Sequence, residues 1–348
     1  MINIAIIGTG GMAHEHARQF QKIEGASLVA CCDVDESRAK AFAESFSIPQ
    51  VYTDVDALLA SPDIHAVVNV TPDRFHKPIS LKALAQKKHV LCEKPLAENY
   101  ADASEMAEAA AAAGVVNMVN FSYRSASALY KAKELVDSGA LGELRHFEAD
   151  YLQSWLVGNY WGAWDKTPAF LWRLSTQHGS QGALGDIGVH IIDFMMLPLG
   201  NIKWVNCRVK SYNKNESNTV GEYTLDANDT AVMLMEAENG ALGTVQVSRF
   251  SAGQSNTLRY QLHGTKGAIR INLDDDGYDQ IDVCLGENVH TNTWERLMLE
   301  PVKNNYEKFV AAIQNGGQGE PDFARGAEVQ KVLDACFHAH DQGAWIEV

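Results

Sequence analysis

The sequence predicts an α/β fold: an N-terminal doubly wound parallel sheet, then a C-terminal α+β domain with a large, mostly antiparallel open sheet. Three observations predict it. Short apolar runs alternate with helical segments as far as Asn120, the order expected of βαβ units. The first run enters the first helix through a glycine-rich turn, Gly8-Thr-Gly-Gly-Met-Ala13. Beyond Ser125, strand-like runs follow one another with long turns between them, as antiparallel sheets require. At 348 residues the chain exceeds the usual size of one core. Two domains are therefore expected, 1–122 and 123–348, with a C-terminal helix able to pack back on the first.

Ile2, Ile4, Ala5, Ile6 and Ile7 form an apolar run too short for a helix and bounded by glycine, as a buried parallel strand is. Gly8, Gly10 and Ala13 then fit Gly-x-Gly-x-x-Gly/Ala, with Gly11 and Met12 between them. In that pattern the first glycine permits the tight turn and the second lets the backbone approach a pyrophosphate. The small third residue lets helix and strand pack closely. The helix continuing through His14 to Lys22 presents free N–H groups and partial positive charge to phosphates. Ser27 to Cys32 is a second strand and ends at Asp33, roughly twenty residues beyond the last glycine position. An acid there accepts hydrogen bonds from an adenine ribose and repels a 2′-phosphate, so NAD is expected over NADP.

The alternation continues with a helix over Glu36–Phe46, a strand at Val51-Tyr52, a helix over 54–60 and a strand over 66–70. A helix over 79–86, a strand over 89–92, an alanine-rich helix over 100–113 and a strand over 115–120 complete the sheet. Ligands of such sheets bind beyond the carboxyl ends of the strands. That rule singles out Thr71-Pro72-Asp-Arg-Phe-His76, Glu93-Lys94-Pro95, and Asn120-Phe-Ser-Tyr123-Arg124. Each stretch taken singly also suits ordinary loop chemistry.

From Ser125 onwards a helix over 128–138 and a strand from Gly142 to Tyr151 precede an irregular stretch carrying Trp155, Trp161, Trp164 and Trp172. That stretch suits a packed surface loop with aromatic anchors, and reads more sharply as a wall over a ligand pocket. Asp186 and His190 follow at i and i+4, so a helix places both on one face. A carboxylate beside an imidazole can orient it for acid–base work near neutral pH; the same spacing suits a buried, satisfied histidine. Asp193, at i+7, reads as structural. Strands over 204–212, 229–238, 240–249, 258–263, 267–273 and 281–285 follow, with Glu238-Asn239-Gly240 a hairpin signal. Helices over 302–314 and 324–342 close the chain.

The composition is that of an ordinary globular protein, 46% hydrophobic and 21% charged,. A formal charge of −15 with no basic run argues against a nucleic-acid partner. No apolar run reaches membrane-spanning length, and Met1 leads directly into a strand, so neither membrane insertion nor a signal peptide is expected. Six cysteines without Cys-x-x-Cys spacing suggest buried, reduced thiols in a cytoplasmic protein without a metal site. A strand-rich second domain short of helices to cover both sheet faces suggests a homodimer or homotetramer.

Taken together, Gly8-Thr-Gly-Gly-Met-Ala, Thr71-Pro72 with His76, Glu93-Lys94-Pro95 and Gly185-Asp186-Ile-Gly-Val-His190 resemble the Gfo/Idh/MocA family of glucose–fructose oxidoreductase and inositol dehydrogenase. The resemblance spans essentially the whole chain. It implies a Rossmann domain followed by an open-sheet domain. It also implies NAD(P)-dependent oxidation or reduction of a secondary alcohol in a sugar, inositol or related polyol. Residue by residue, it implies that Gly8, Gly10, Gly11, Met12 and Asp33 hold the adenosine and pyrophosphate half of the cofactor. Thr71, Pro72 and His76 would line it further along, with Glu93 near the nicotinamide ribose; Asn120 is a cofactor candidate by its place beyond the sixth strand. Lys94, on a peptide to Pro95 that can be cis, would join Asp186 and His190 as the catalytic group, with His190 the base. Trp172 and Arg173, similar to a Trp-Arg element of some sugar-acting members, would contact nicotinamide or substrate; Tyr123 and Arg124 are substrate candidates by their place beyond the sixth strand. Ser180-Gln181-Gly182 departs from the consecutive glycines that relatives often show. Two other functions suit the same fold: a non-enzymatic dinucleotide or sugar sensor, and redox-coupled elimination or hydrolysis with tightly held NAD.

Overall fold

The computed structural model describes residues 1–274 and 277–348. The chain divides into two compact units, Met1–Ser122 with Lys303–Gln330, and Tyr123–Val302 with Lys331–Val348.

In the first unit, strands β1 (Ile2–Ile7), β2 (Ala26–Cys32), β3 (Gln50–Tyr52), β4 (Ala66–Asn69), β5 (His89–Cys92) and β6 (Asn117–Val119) make a sheet. It is parallel throughout, in the order β3-β2-β1-β4-β5-β6. Helices α1 (Gly11–Phe20), α2 (Glu36–Phe46), α3 (Val55–Leu59), α4 (His76–Ala85) and α5 (Tyr100–Ala113) connect the strands. The strand order reverses between β1 and β4, and such switch points open a crevice at the carboxyl ends. Gly8 follows one of these strands and Thr71 the other. Ile4 and Ile6 of β1, Val68, Leu91 and Met118 share one core with Phe20, Phe42 and Phe309. Phe309 belongs to the helix Asn305–Asn315, which starts with a capping box between Asn304 and Glu307, so this late segment completes the first unit's core.

The second unit begins with α6 (Ser127–Asp137) and β7 (Leu144–Gln153), then passes through α7 (Pro168–Leu171) to α8 (Val189–Leu199). Strands β8 (Ile202–Lys210), β9 (Thr219–Val220), β10 (Tyr223–Thr224), β11 (Thr230–Ala237), β12 (Leu242–Ser248) and β13 (Asn256–Gly264) follow. After them come β14 (Gly267–Asn272), β15 (Gln280–Leu285), β16 (Glu295–Met298) and β17 (Ile346–Glu347). Nine of these form one sheet in the order β16-β15-β14-β13-β7-β12-β11-β8-β17. Only the β7–β12 pair among them is parallel. Strands β16 and β17 and the β9–β10 hairpin were not expected from sequence; segments of two to four residues are too short to show a period. The tryptophan-rich stretch folds around its own small core of Trp155, Leu156, Leu171, Leu174 and Leu225.

The glycine turn has little tolerance at its first position. Gly8 has φ +87°, and a Cβ there would lie 2.7 Å from the Val70 carbonyl oxygen and 2.8 Å from its carbon. Both atoms are backbone and cannot swing aside. Gly8→Ala is therefore expected to cost on the order of 1–3 kcal/mol in stability and to abolish NAD binding. Thermal melting and a fluorescence titration with NADH check this; unchanged melting and affinity would contradict it.

Candidate active site

The nucleotide-binding half assembles at the carboxyl ends of β1 and β2. Gly10, Gly11 and Met12 are exposed, and a Cβ on either glycine would meet nothing within 4 Å. Among the described residues no side chain caps α1, and its first turn carries no acid. The Gly11 and Met12 N–H groups thus stand at the positive end of the helix dipole, as an anion requires, while the Ala13 N–H bonds the Gly10 carbonyl,. Asp33 closes the turn from β2: its Oδ2 accepts from the Thr9 N–H at 2.8 Å and the Thr9 hydroxyl at 2.9 Å. Arg38 donates to both carboxylate oxygens at 3.0 and 2.5 Å, and the Asp35 N–H to Oδ1 at 3.0 Å. Burial raises the carboxyl pKa, but these donors together bring it down to about 2. An open anion cradle ending in an ionised acid fits a dinucleotide whose ribose carries free hydroxyls. Asp35 caps α2 through the N–H groups of Ser37 and Arg38.

The loops after β4 and β5 are bound to each other. His76 is fully buried; its Nδ1 lies 2.7 Å from the Pro95 carbonyl and its Nε2 2.9 Å from the Thr71 carbonyl. Two carbonyl acceptors call for two N–H donors, so this imidazole is a cation. Burial works against that charge, but the Cys92 sulfur, the Asp73 carboxylate and the Pro95 carbonyl outweigh it and raise the pKa to about 10. The expectation that His76 lines the cofactor is thereby corrected. It braces the two loops from beneath, while Thr71 and Pro72 remain at their surface. The Lys94–Pro95 peptide is cis.

Glu93, the residue expected near the nicotinamide ribose, turns its carboxylate inward. It is 8% exposed, and its Oε1 accepts from His16 Nε2 at 2.8 Å and from Asn120 Nδ2 at 2.7 Å. Its Oε2 accepts from the Lys94 N–H at 3.1 Å. Against burial, these partners hold its pKa at about 2. Asn120 is buried in the same network, with the Tyr306 hydroxyl 3.3 Å away. Lys94 itself is half-buried.

The second unit gathers Asp186, His190, Trp172, Arg173 and Tyr123. Asp186 lies in a π-helical turn, Leu184–Gly188, that runs directly into α8. Such wide turns recur at functional sites because they re-aim side chains. The Asp186 carboxylate accepts from Arg249 Nη2 at 2.9 Å and lies 3.7 Å from Arg173 Nε. Arg249 is fully buried, donates to the Arg173 carbonyl at 3.0 Å and stacks over Trp155 at 5.1 Å. Arg173 in turn covers the half-exposed Trp172 at 4.5 Å. His190 is 8% exposed and meets the ring of Tyr123 edge-on at 5.2 Å, with Tyr151 at 6.3 Å. The two tyrosine hydroxyls are 2.5 Å apart, and Asn256 bonds both.

Two sequence expectations change here. Tyr123 is buried, with its hydroxyl held by Tyr151 and Asn256, so its ring supports His190 instead of offering a hydroxyl to substrate. Arg124 is 1% exposed and grips Asp193 through two bonds of 2.7 Å, an ion pair that ties the start of the unit to α8. Arg249, Tyr151, Asn256 and His16 were not picked out from sequence. Arg249 interrupts the apolar alternation at the end of β12, and His16 stands in the stripe Ala13, His16, Ala17, Phe20; those polar intrusions were the available signals.

A glycine turn at a sheet's switch point and an ionised acid after β2, followed by a unit built on a broad open sheet, define a two-unit NAD-binding oxidoreductase. Residues 2–121 match the oxidoreductase family with an NAD-binding Rossmann fold, and residues 129–270 match the GFO/IDH/MocA C-terminal domain. The chain belongs to the Gfo/Idh/MocA family. Levoglucosan dehydrogenase of Pseudarthrobacter phenanthrenivorans is 25% identical over 100% of this chain and 98% of that protein. A solved structure of levoglucosan dehydrogenase in complex with NADH and levoglucosan superposes with a TM-score of 0.87 at 25% identity, covering 100% of this chain and 99% of that one. An oxidoreductase domain protein from Kribbella flavida reaches 30% identity and a TM-score of 0.88 over 100% of both chains.

The buried His76 cation carries a pH signature. Its folded pKa of about 10 exceeds the ordinary histidine value, so its contribution to stability is complete below pH ~6.5 and fades as the pH rises towards 10. The melting temperature of His76→Gln should therefore lie well below wild type at about pH 6 and approach it at about pH 9.5. A gap that stays constant across that range would contradict the assignment.

Proposed function

We propose that this chain oxidises a secondary alcohol of a sugar, inositol or related polyol with NAD, and runs the reverse reduction. The observation that carries this reading is the arrangement around His190: a histidine wedged between tyrosine rings, one helical turn from a carboxylate fixed by a buried arginine. Catalytic acids and bases work best when held in one orientation before the reaction. The relatives' sugar substrates and NADH support the substrate class and the cofactor.

Bound at the glycine turn, the nicotinamide cofactor supplies the hydride chemistry. The chain's own residues handle the proton and the charge. His190 takes the hydroxyl proton during oxidation and returns it during reduction. Asp186 fixes the electrostatics of that exchange, and Arg249 fixes Asp186. The Lys94 ammonium offsets negative charge developing on the substrate oxygen. Trp172 and Arg173 offer a flat apolar face and a donor fork suited to a sugar ring.

A homo-oligomer formed through the nine-stranded sheet belongs to the same proposal. Val232 and Leu234 of β11 and Leu242 of β12 are about half exposed on one face of adjacent strands, whereas α6 and α8 pack on the sheet. A cytoplasmic location is in keeping with six free thiols, five of them buried. Among the described residues no helix is long and apolar enough to cross a membrane.

Two measurements test these readings. With NAD and a panel of inositols, aldoses and anhydrosugars, His190→Ala should lower the turnover of the folded enzyme by roughly 10²–10⁴-fold without shifting NADH affinity appreciably. Near-normal turnover in that variant would end the base assignment. Light scattering should find a dimer or tetramer at micromolar concentration, and Leu234→Glu should dissociate it; a monomeric wild type would refute the assembly.

A further inference from the structure

Among the described residues, Glu93 and Asp33 are the two buried acids of the first unit, and Glu93 stands apart by its place. It is an ionised carboxylate at 8% exposure on the loop that carries Lys94. Burying such a charge is unfavourable until its partners compensate, and an apolar side chain would fill the same space without that cost. Its partners show what the charge is used for. Oε2 takes the Lys94 backbone N–H, so the carboxylate fixes the backbone from which the Lys94 side chain projects. Oε1 takes Asn120 from β6's exit and His16 from α1. The carboxylate can only accept, so His16 Nε2 is the donor.

His16 is fully buried, its ring packs edge-on against Tyr306 at 5.2 Å, and its Nδ1 meets no hydrogen-bond partner among the described residues. A leucine or phenylalanine would suit the stripe Ala13, Ala17, Phe20 better than a half-satisfied imidazole. The histidine's one polar contact is thus the reason for its presence. That contact joins the helix whose N-terminus forms the anion cradle to the loop that carries the lysine.

We propose that His16 is a positioning residue for the reaction: it locks the Glu93 carboxylate, and through it the Lys94 backbone, in register with the helix that receives the cofactor phosphates. This inference rests on the dehydrogenase reading above and assigns the histidine no contact with substrate. It acts at two removes, from imidazole to carboxylate to lysine N–H.

The test compares His16→Gln, which keeps an N–H donor near the Nε2 position, with His16→Leu, which keeps the packing and removes the donor. Turnover, the Michaelis constants for NAD and sugar, NADH affinity by fluorescence and melting temperature are measured on the whole enzyme, with Lys94→Ala alongside. His16→Leu should lose roughly 10²-fold in kcat, the penalty usual for a displaced reacting group, with NADH affinity little altered; His16→Gln should recover most of that loss. In a Glu93→Gln background the leucine substitution should have little further effect on kcat, because the link is already broken. If His16→Leu keeps wild-type kcat, or if both variants lose kcat equally and only in step with folded fraction, the proposal is overturned. Should Lys94→Ala retain full turnover, the dehydrogenase reading of that lysine fails instead, and the two failures are told apart.

Discussion

The first unit depends on holding a lysine-bearing loop still at the open end of a parallel sheet. Loops in that place have no ladder of backbone hydrogen bonds to define them, so side chains must supply the definition. Here two buried histidines do so from opposite sides. His76 bonds the carbonyls of Thr71 and Pro95; His16 bonds Glu93, which bonds the Lys94 N–H. One histidine fixes the backbone after the lysine and the other the backbone before it. Both come from helices whose first turns face the carboxyl end of the sheet, so the cofactor cradle and the lysine loop share one rigid frame.

The second unit solves the same problem with an arginine. Asp186 leaves its helix on a π-turn and is met by Arg249, which is itself held by the Arg173 carbonyl and the Trp155 ring. From Trp155 the network continues through Gln153 to Asn256, Tyr151 and Tyr123, and so back to His190. The acid and the histidine are therefore supported from two sides by one continuous set of contacts, which restricts both to a single arrangement.

Much of this was legible in the sequence. The parallel sheet, the glycine turn and Asp33 rest on local pattern, where neighbours in the chain are neighbours in space. Asp186 and His190 were visible as a pair for the same reason. Arg249 and His16 were not, because their partners lie 63 and 77 residues away and no periodicity encodes a contact of that range. The π-turn escaped notice because its residues, Leu184 to Gly188, satisfy an α-helical spacing equally well. Arg124 and Tyr123 misled for a different reason: polar groups beyond a strand's carboxyl end can serve packing as readily as binding, and only burial distinguishes the two.

The central claim, hydride chemistry on a carbinol carbon, is tested most directly by isotope transfer. A substrate deuterated at that carbon, incubated with oxidised NAD and the enzyme, should give reduced cofactor heavier by one deuterium and no label in water. Label appearing in the solvent, with the cofactor unlabelled, would mean that the chain removes a proton from that carbon instead, and the account would be wrong.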